Sequence, residues 1–462
     1  MSLLFKNCKL LVRKDSDYIE LNNAYLGVNG SVIDYIGEKA PDKKYDEVKD
    51  MSGKLLMPGL VNSHGHAPMT LVRGVGSGLP TGEWLNSVIF PLEAKMTPKD
   101  IYYGNLFAIM EMLSCGTTMA MEMYDFPFAS ALAYAEAGMK SNVGRVGLCF
   151  DNDLDPDDWP RTKEVIELAK SFRDGTQCEE SIRELSAIDP NLAKGDMLPD
   201  IIANAISDGK LKASLILHSE YLTTEKYVKR MVEMNKEFNL PINVHISETK
   251  SEHDECIERH GKTPMAYFRD LGVLDYTVAA AHCVHLSDED FEIVKEKDVN
   301  IIHSPSSNLK LGSGIARIAK AYDMGINVAL GTDGCASNNN LNMFEELHLA
   351  ALLEKGTEHD PTLIKDAFAL DMATVNGVKA FDRDDTGVLE VGKKADVIAV
   401  DFTGLHMLPN WDTKALLCYS AQGSDVTMTM VDGKILYENG EFKTIDKEKV
   451  TREFLACVEH LR

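Results

Sequence analysis

Eight short apolar runs, rich in Val, Ile and Ala, recur along the chain with longer amphipathic stretches between them, and this alternation narrows the possible folds more than any other feature. The runs are LLMPGLVNSHGH, GTTMAMEM, NVGRVGLCF, LKASLILH, PINVHISE, TVAAAHCV, VNIIHSPS and NVALGTDG. Strands that alternate with helices pair in parallel, because each crossover helix returns the chain to the same edge, and eight such units close into a (β/α)8 barrel. Helices are expected over residues 97–114, 126–138, 223–239, 287–297 and 342–355. Thr97-Pro98 and Ser287-Asp288-Glu289 carry cap signals that satisfy the open N–H groups of a first helical turn. The unit between Arg161 and Leu211 is longer than its neighbours, and DGTQCEES and DPNLAKGDMLPD within it read as an inserted surface excursion.

Both ends of the chain have a different rhythm. Strand-like runs over residues 3–12, 17–21 and 24–36, the last broken by Gly27 and Gly30, precede the barrel, and TGVLEVGKKADVIAVD and VTMTMVDGKILYENGE follow it. The expected organisation is α/β: a TIM-type barrel over 57–382, a small β domain built from 1–56 and 383–445, and a C-terminal helix over 446–462. The Met-rich stretch MEMLSCGTTMAMEMY is expected to fill irregular gaps in the core, as methionine does well.

Composition restricts the partners. The 462 residues carry 48 basic and 72 acidic side chains, a net charge of −24. A field of that sign repels phosphate backbones and anionic lipid, so neither nucleic acid nor a membrane surface is expected as a partner. Nine scattered Cys form no C-x-x-C pair, which fits reduced thiols. The opening MSLLFKNCKLLVRKDS has no small-residue cleavage site, and no apolar run approaches the ~20 residues of a membrane span. A cytoplasmic location is expected.

Barrel active sites lie where the strands end at their C-terminal edge, and the candidate ligands fall there. His64 and His66 end the first run, and alternation along a strand points both imidazoles the same way. His245 ends the fifth run and Asp333 the eighth. Three imidazoles and a carboxylate, with a position left for water, suit one catalytic divalent metal, Zn2+ in the first place and Fe2+ as an alternative. Glu248, three residues past His245, is placed as a general acid/base, and His282 ends the sixth run.

PGLVNSHGHAPMTLVRG, HISET, AAHCVH, HSPSSNLKLGSGIA and GTDGCASNNNLNMFEELHLAALL resemble the amidohydrolase superfamily, and within it the 5-methylthioadenosine/S-adenosylhomocysteine deaminases. The resemblance implies His64, His66, His245 and Asp333 as metal ligands, with Asp333 also catalytic, Glu248 as proton shuttle and His282 as partner of the reactive water. It further implies substrate contacts from Glu93, Arg145, Arg161 and His218. His218 stands where binuclear relatives carry a carbamylated Lys, so a single metal follows. The sequence departs from the family at Ser219-Glu220-Tyr221, at Ser304 and in the long insertion after Arg161.

The expected activity is hydrolytic deamination of a small adenine nucleoside (S-adenosylhomocysteine, methylthioadenosine, adenosine or 5′-deoxyadenosine) by a homo-oligomeric metal-dependent aminohydrolase. The alternatives are an amidohydrolase acting on guanine, a pterin, a triazine or a cyclic amide, and a catalytically silent barrel acting in assembly.

Overall fold

The computed structural model describes residues 2–462. Eight parallel strands run in chain order around the barrel: Leu60–Asn62, Thr117–Tyr124, Lys140–Gly147, a fourth divided into Leu211–Ala213 and Leu215–Leu217, Ile242–Ile246, Val278–His282, Asn300–His303 and Val328–Leu330. All eight expected runs form strands. Their residues are almost wholly buried, because the barrel interior covers one face and the helices the other. The barrel closes between its last and first strands. Ser63 N–H donates to the Leu330 carbonyl, Asp333 N–H to the His64 carbonyl, and Asp333 pairs with Gly65.

The expected helices form with ends one or two residues inside the expected bounds, except that one end coincides at Ser114 and one runs two beyond, to Thr357. Pro98–Ser114 begins at a reciprocal Thr97/Asp100 capping box, and Asp288–Glu296 begins at the equivalent Ser287/Asp290 pair. The excursion after Arg161 is more ordered than expected. It contains the helices Pro160–Asp174, Glu179–Ile188 and Asp200–Ser207. Glu184, fully buried, accepts from the backbone N–H groups of Phe128 and Ala129 at the start of the helix Pro127–Ala137. A carboxylate at a helix N-terminus satisfies open donors and complements the dipole, so this inserted helix is tied to the barrel wall.

The chain ends build a second sheet. Lys54–Pro58 pairs antiparallel with Val397–Asp401 along its whole length, joining strands from the N-terminus to strands after the barrel. The N-terminal strands run Ser2–Lys14, Asp17–Asn29 and Val32–Gly37, so the strand continues through Gly27, where its pairing shifts register at Gly27/Val28, and the turn falls at Gly30, with φ of +62°. Gly27 instead makes room for a neighbour, since a Cβ there would come within 2.1 Å of the Tyr45 hydroxyl. Lys140, at the start of the third barrel strand, is buried between Asp396 and Asp432 and links barrel to sheet. The C-terminal helix Lys447–Leu461 packs on Pro98–Ser114, with the rings of Phe454 and Phe107 stacked 3.9 Å apart.

The methionines at 110, 112, 119, 121 and 123 are buried in the core. The nine cysteines are free thiols. No helix among the described residues is long and apolar enough to cross a membrane.

Candidate metal centre and active-site cavity

His64 and His66 emerge where the first strand ends, His245 on the fifth, His282 at the end of the sixth, and Asp333 just past the eighth. At three of these strand ends the backbone enters the left-handed region: Ser247 has φ of +51°, His282 of +71° and Asp333 of +59°. Non-glycine residues adopt this conformation at a cost and do so where the surroundings impose it. Here it turns the chain sharply at the rim, keeping the side chains pointed into the mouth.

Donor atoms of His64, His66 and His245 lie within 4.8 Å of one another, as do those of His64, His282 and Asp333. Asp333 Oδ1 is 3.1 Å from His66 Nε2 and 3.4 Å from His64 Nε2. Tetrahedral donors about 2.0–2.1 Å from a zinc-sized ion stand about 3.4 Å apart, so the spacing accommodates a cation.

The hydrogen bonds behind these groups fix their tautomers. His66 donates from Nδ1 to the Met123 carbonyl at 2.7 Å, and His245 from Nδ1 to the His218 carbonyl at 2.6 Å. Each therefore turns an Nε2 lone pair inward, the arrangement that orients histidine ligands in metal sites. His64 Nε2 is buried and has no hydrogen-bond partner, an expensive state for a polar atom unless a cation takes it up. Asp333 Oδ2 accepts from the hydroxyls of Ser307, at 2.5 Å, and Ser337, at 2.8 Å, which leaves Oδ1 facing the imidazoles.

Burial depresses the His64 pKa to about 4 and that of His218 to about 3, so both are neutral, as metal ligation requires of imidazole. Burial also opposes a charge on His66, but the hydrogen bond to Asp333 outweighs it and lifts that pKa to about 9. Asp333 thus favours positive charge on the His66 side of the cluster. These residues fit a divalent metal.

Glu248 is buried beside the cluster, its Oε2 4.0 Å from His282 Nε2. Burial raises its pKa. The turn that carries it is clamped by Glu252, which accepts from the N–H groups of Ser247 and Glu248 at 2.9 and 2.7 Å and completes a capping box with Thr249. On its far side, His282 Nδ1 meets Asn308 Oδ1 at 2.8 Å.

A cavity of about 370 Å³ opens over the cluster. His66, His218, His245, Glu248, His282 and Asp333 lie on its floor, and Trp84, Ile89, Phe90, Phe126 and Phe150 contribute an apolar wall. Glu93 and Arg161 also line it. Glu93 accepts from the Tyr124 hydroxyl at 2.6 Å, and burial raises its pKa to about 7. Arg145 is not among the lining residues. Its guanidinium is 6% exposed and lies between Glu164 and Asp125, so the expectation of a direct substrate contact there does not match its placement.

Several residues of the site were not anticipated. The wall segment after the first strand, 67–93, folds as short 3-10, α and π turns. Tyr124, Asp125, Ser307, Asn308 and Ser337 each orient another site residue. Only Glu252 left a readable trace, the T-x-x-E pattern of a capping box.

The sequence profile of the amidohydrolase family matches residues 55–436. The chain belongs to the amidohydrolase family. Within it, the chain is 42% identical over 454 residues to a 5-methylthioadenosine/S-adenosylhomocysteine deaminase of Acetivibrio thermocellus, covering 97% of each chain. It is 37% identical over 459 residues to a 5′-deoxyadenosine deaminase of Methanosarcina acetivorans, covering 99% of this chain and 98% of the other. Among solved structures, a zinc-bound adenosine deaminase from Xanthomonas campestris superposes with a TM-score of 0.86 at 28% identity, covering 100% of this chain and 98% of that one. This amidohydrolase is an enzyme with a centre for a divalent metal.

Proposed function

We propose that this amidohydrolase deaminates adenine nucleosides hydrolytically, giving the inosine analogue and ammonia, with one zinc ion held by His64, His66, His245 and Asp333. One juxtaposition carries the reading: a convergent set of three imidazoles and a carboxylate, with the Glu248 carboxyl beside it, under a cavity wide enough for a nucleoside. The relatives named as deaminases of adenine nucleosides support the choice of ring.

A divalent metal in this site supplies water of lowered pKa, near 7 for zinc, as the nucleophile. The chain's own groups manage the protons. Glu248, whose burial favours the protonated carboxyl, delivers a proton to the ring nitrogen next to the carbon under attack. The first proton lost by the water reloads Glu248, and Asp333 Oδ1 takes the remaining hydroxyl proton as the carbon–oxygen double bond forms and passes it to the amino nitrogen, which leaves as ammonia. His282, held by Asn308, steers the water from the side facing Glu248. Glu93 accepts hydrogen bonds from the ribose hydroxyls, and His218 supports the nucleoside from the wall. The apolar residues above exclude bulk water, which strengthens these electrostatic interactions.

Ammonia release, measured in parallel over adenosine, 5′-deoxyadenosine, methylthioadenosine, S-adenosylhomocysteine and guanine, tests the assignment. Adenine nucleosides are expected to react and guanine to be inert. Release from guanine alone would transfer the activity to another heterocycle. Elemental analysis of purified enzyme is expected to find zinc rather than iron.

A further inference from the structure

Arg145 and Arg161 share one acidic partner, and that partner stands in the cavity wall. Asp125 follows directly on the second barrel strand. Its two carboxylate oxygens receive Nη1 and Nη2 of Arg161 in a fork, and its Oδ1 lies 3.3 Å from Nη1 of Arg145. Glu164 occupies the other edge of Arg145, 2.8 Å from Nε and 2.7 Å from Nη2. Arg161 also donates to the Val146 carbonyl at 3.2 Å. The Arg161 fork is therefore occupied before any substrate arrives, while Nη1 of Arg145 makes no hydrogen bond and Arg183, Glu180 and Glu184 add further charges around the pair.

The fork is built into the cavity wall. Burial works against the Asp125 charge, yet Arg145 and Arg161 hold its pKa below the usual carboxylate range, so it is ionised at neutral pH. Phe126, Leu148 and Phe150 line the cavity around it. Tyr124, the residue before Asp125, donates to Glu93, and the Asp125 charge acts on Glu93, so the tail of a nucleoside whose ribose is held by Glu93 is assigned to the wall around Asp125.

The Asp125 side chain is 36% exposed and lines the cavity, so a substrate carboxylate entering this region would meet a like charge that already occupies the Arg161 fork, and like charges in contact repel. A methyl or methylthio group meets no such obstacle and gains contact with the apolar wall. Resting on the deaminase reading above, we propose that Asp125 determines specificity by closing the tail subsite to charged 5′ substituents, so that the preferred substrates are adenine nucleosides with a small, uncharged group on the 5′ carbon.

The test compares kcat/KM for 5′-deoxyadenosine, methylthioadenosine and S-adenosylhomocysteine with the full-length, metal-loaded enzyme. The unsubstituted enzyme is expected to favour the two uncharged nucleosides by about tenfold or more, the effect of one charged hydrogen-bonded contact. Asp125→Asn keeps the shape and releases the Arg161 fork. It is expected to raise the ratio of S-adenosylhomocysteine to methylthioadenosine by about tenfold or more, whereas Asp125→Glu keeps the ratio low. Equal use of the two nucleosides by the unsubstituted enzyme would overturn the Asp125 assignment alone, as would an Asp125→Asn ratio that does not move. The comparison on the unsubstituted enzyme requires no variant to fold. Ammonia release from no adenine nucleoside would overturn the deaminase reading as well.

Discussion

The Nδ1 of His245 donates to the backbone carbonyl of His218, 2.6 Å away, so the histidine of the fifth strand is oriented by the end of the fourth. The acceptor is main chain, and its position is set by barrel pairing rather than by a rotamer. His66 is held in the same way by the carbonyl of Met123 on the second strand. The barrel's backbone thereby fixes which nitrogen of each ring faces the centre of the cluster.

Removing the metal with a chelator should abolish turnover and lower the melting temperature, because His64 Nε2 is left buried without a partner and a ligand that binds only the folded state stabilises it. Zinc added back should restore both. Elemental analysis should find about one metal per chain, as a single four-donor site requires. Full activity in a protein shown to be metal-free would end the proposal.

Glu248→Gln keeps size and hydrogen bonding but cannot shuttle a proton. The rate should fall by about 10²- to 10⁴-fold, with metal content unchanged by elemental analysis. Turnover near that of the unsubstituted enzyme would remove Glu248 from the chemistry.

Ser307→Ala and Ser337→Ala each remove one hydroxyl donated to Asp333 Oδ2. Loss of such an outer partner typically weakens metal binding by about 10- to 100-fold. Competition against a fluorescent zinc chelator measures this directly, and the double variant should bind more weakly than either single one.

Burial raises the Glu93 pKa to about 7, so the carboxyl holds its proton below that pH and loses it above. An ionised carboxylate is the better acceptor for ribose hydroxyls. KM for an adenine nucleoside should therefore fall as pH rises through about 7, and Glu93→Gln should flatten that dependence. A KM profile of the same shape in both enzymes would contradict the assigned contact.

Lys140→Met leaves Asp396 and Asp432 facing each other without their shared cation. Breaking a buried pair by removing one partner costs about 3–5 kcal/mol, and denaturant unfolding should show a loss of that size. The expected loss is one of stability, since Lys140 begins its strand at the end away from the cavity.

The barrel and the convergence of the candidate ligands at its rim were legible because both depend on strand-scale patterns: apolar runs mark the strands, and polar residues that follow them fall at the rim. Arg145 shows where this fails. Val146 lines the cavity, so alternation along the strand turns Arg145 outward to Glu164 on the covering helix. A register uncertain by one residue exchanges these two faces, and apolar content alone does not fix it. The cavity wall over 67–93 was illegible for another reason. It is made of turns too short to show any period, and its packing is set by the barrel mouth rather than by its own sequence. The partners of Asp333 and His282 lie in SPSSN and ASNNN, where several small polar residues are equally suited by type and only the folded loop selects among them.

The seam that closes the barrel joins Asp333 to Gly65, between His64 and His66. During synthesis the two N-terminal histidines emerge long before the aspartate, and the seam forms only when the eighth strand has docked. A partly made or truncated chain can offer only an incomplete set of donors. The complete four-donor set therefore exists only in a chain whose barrel has closed.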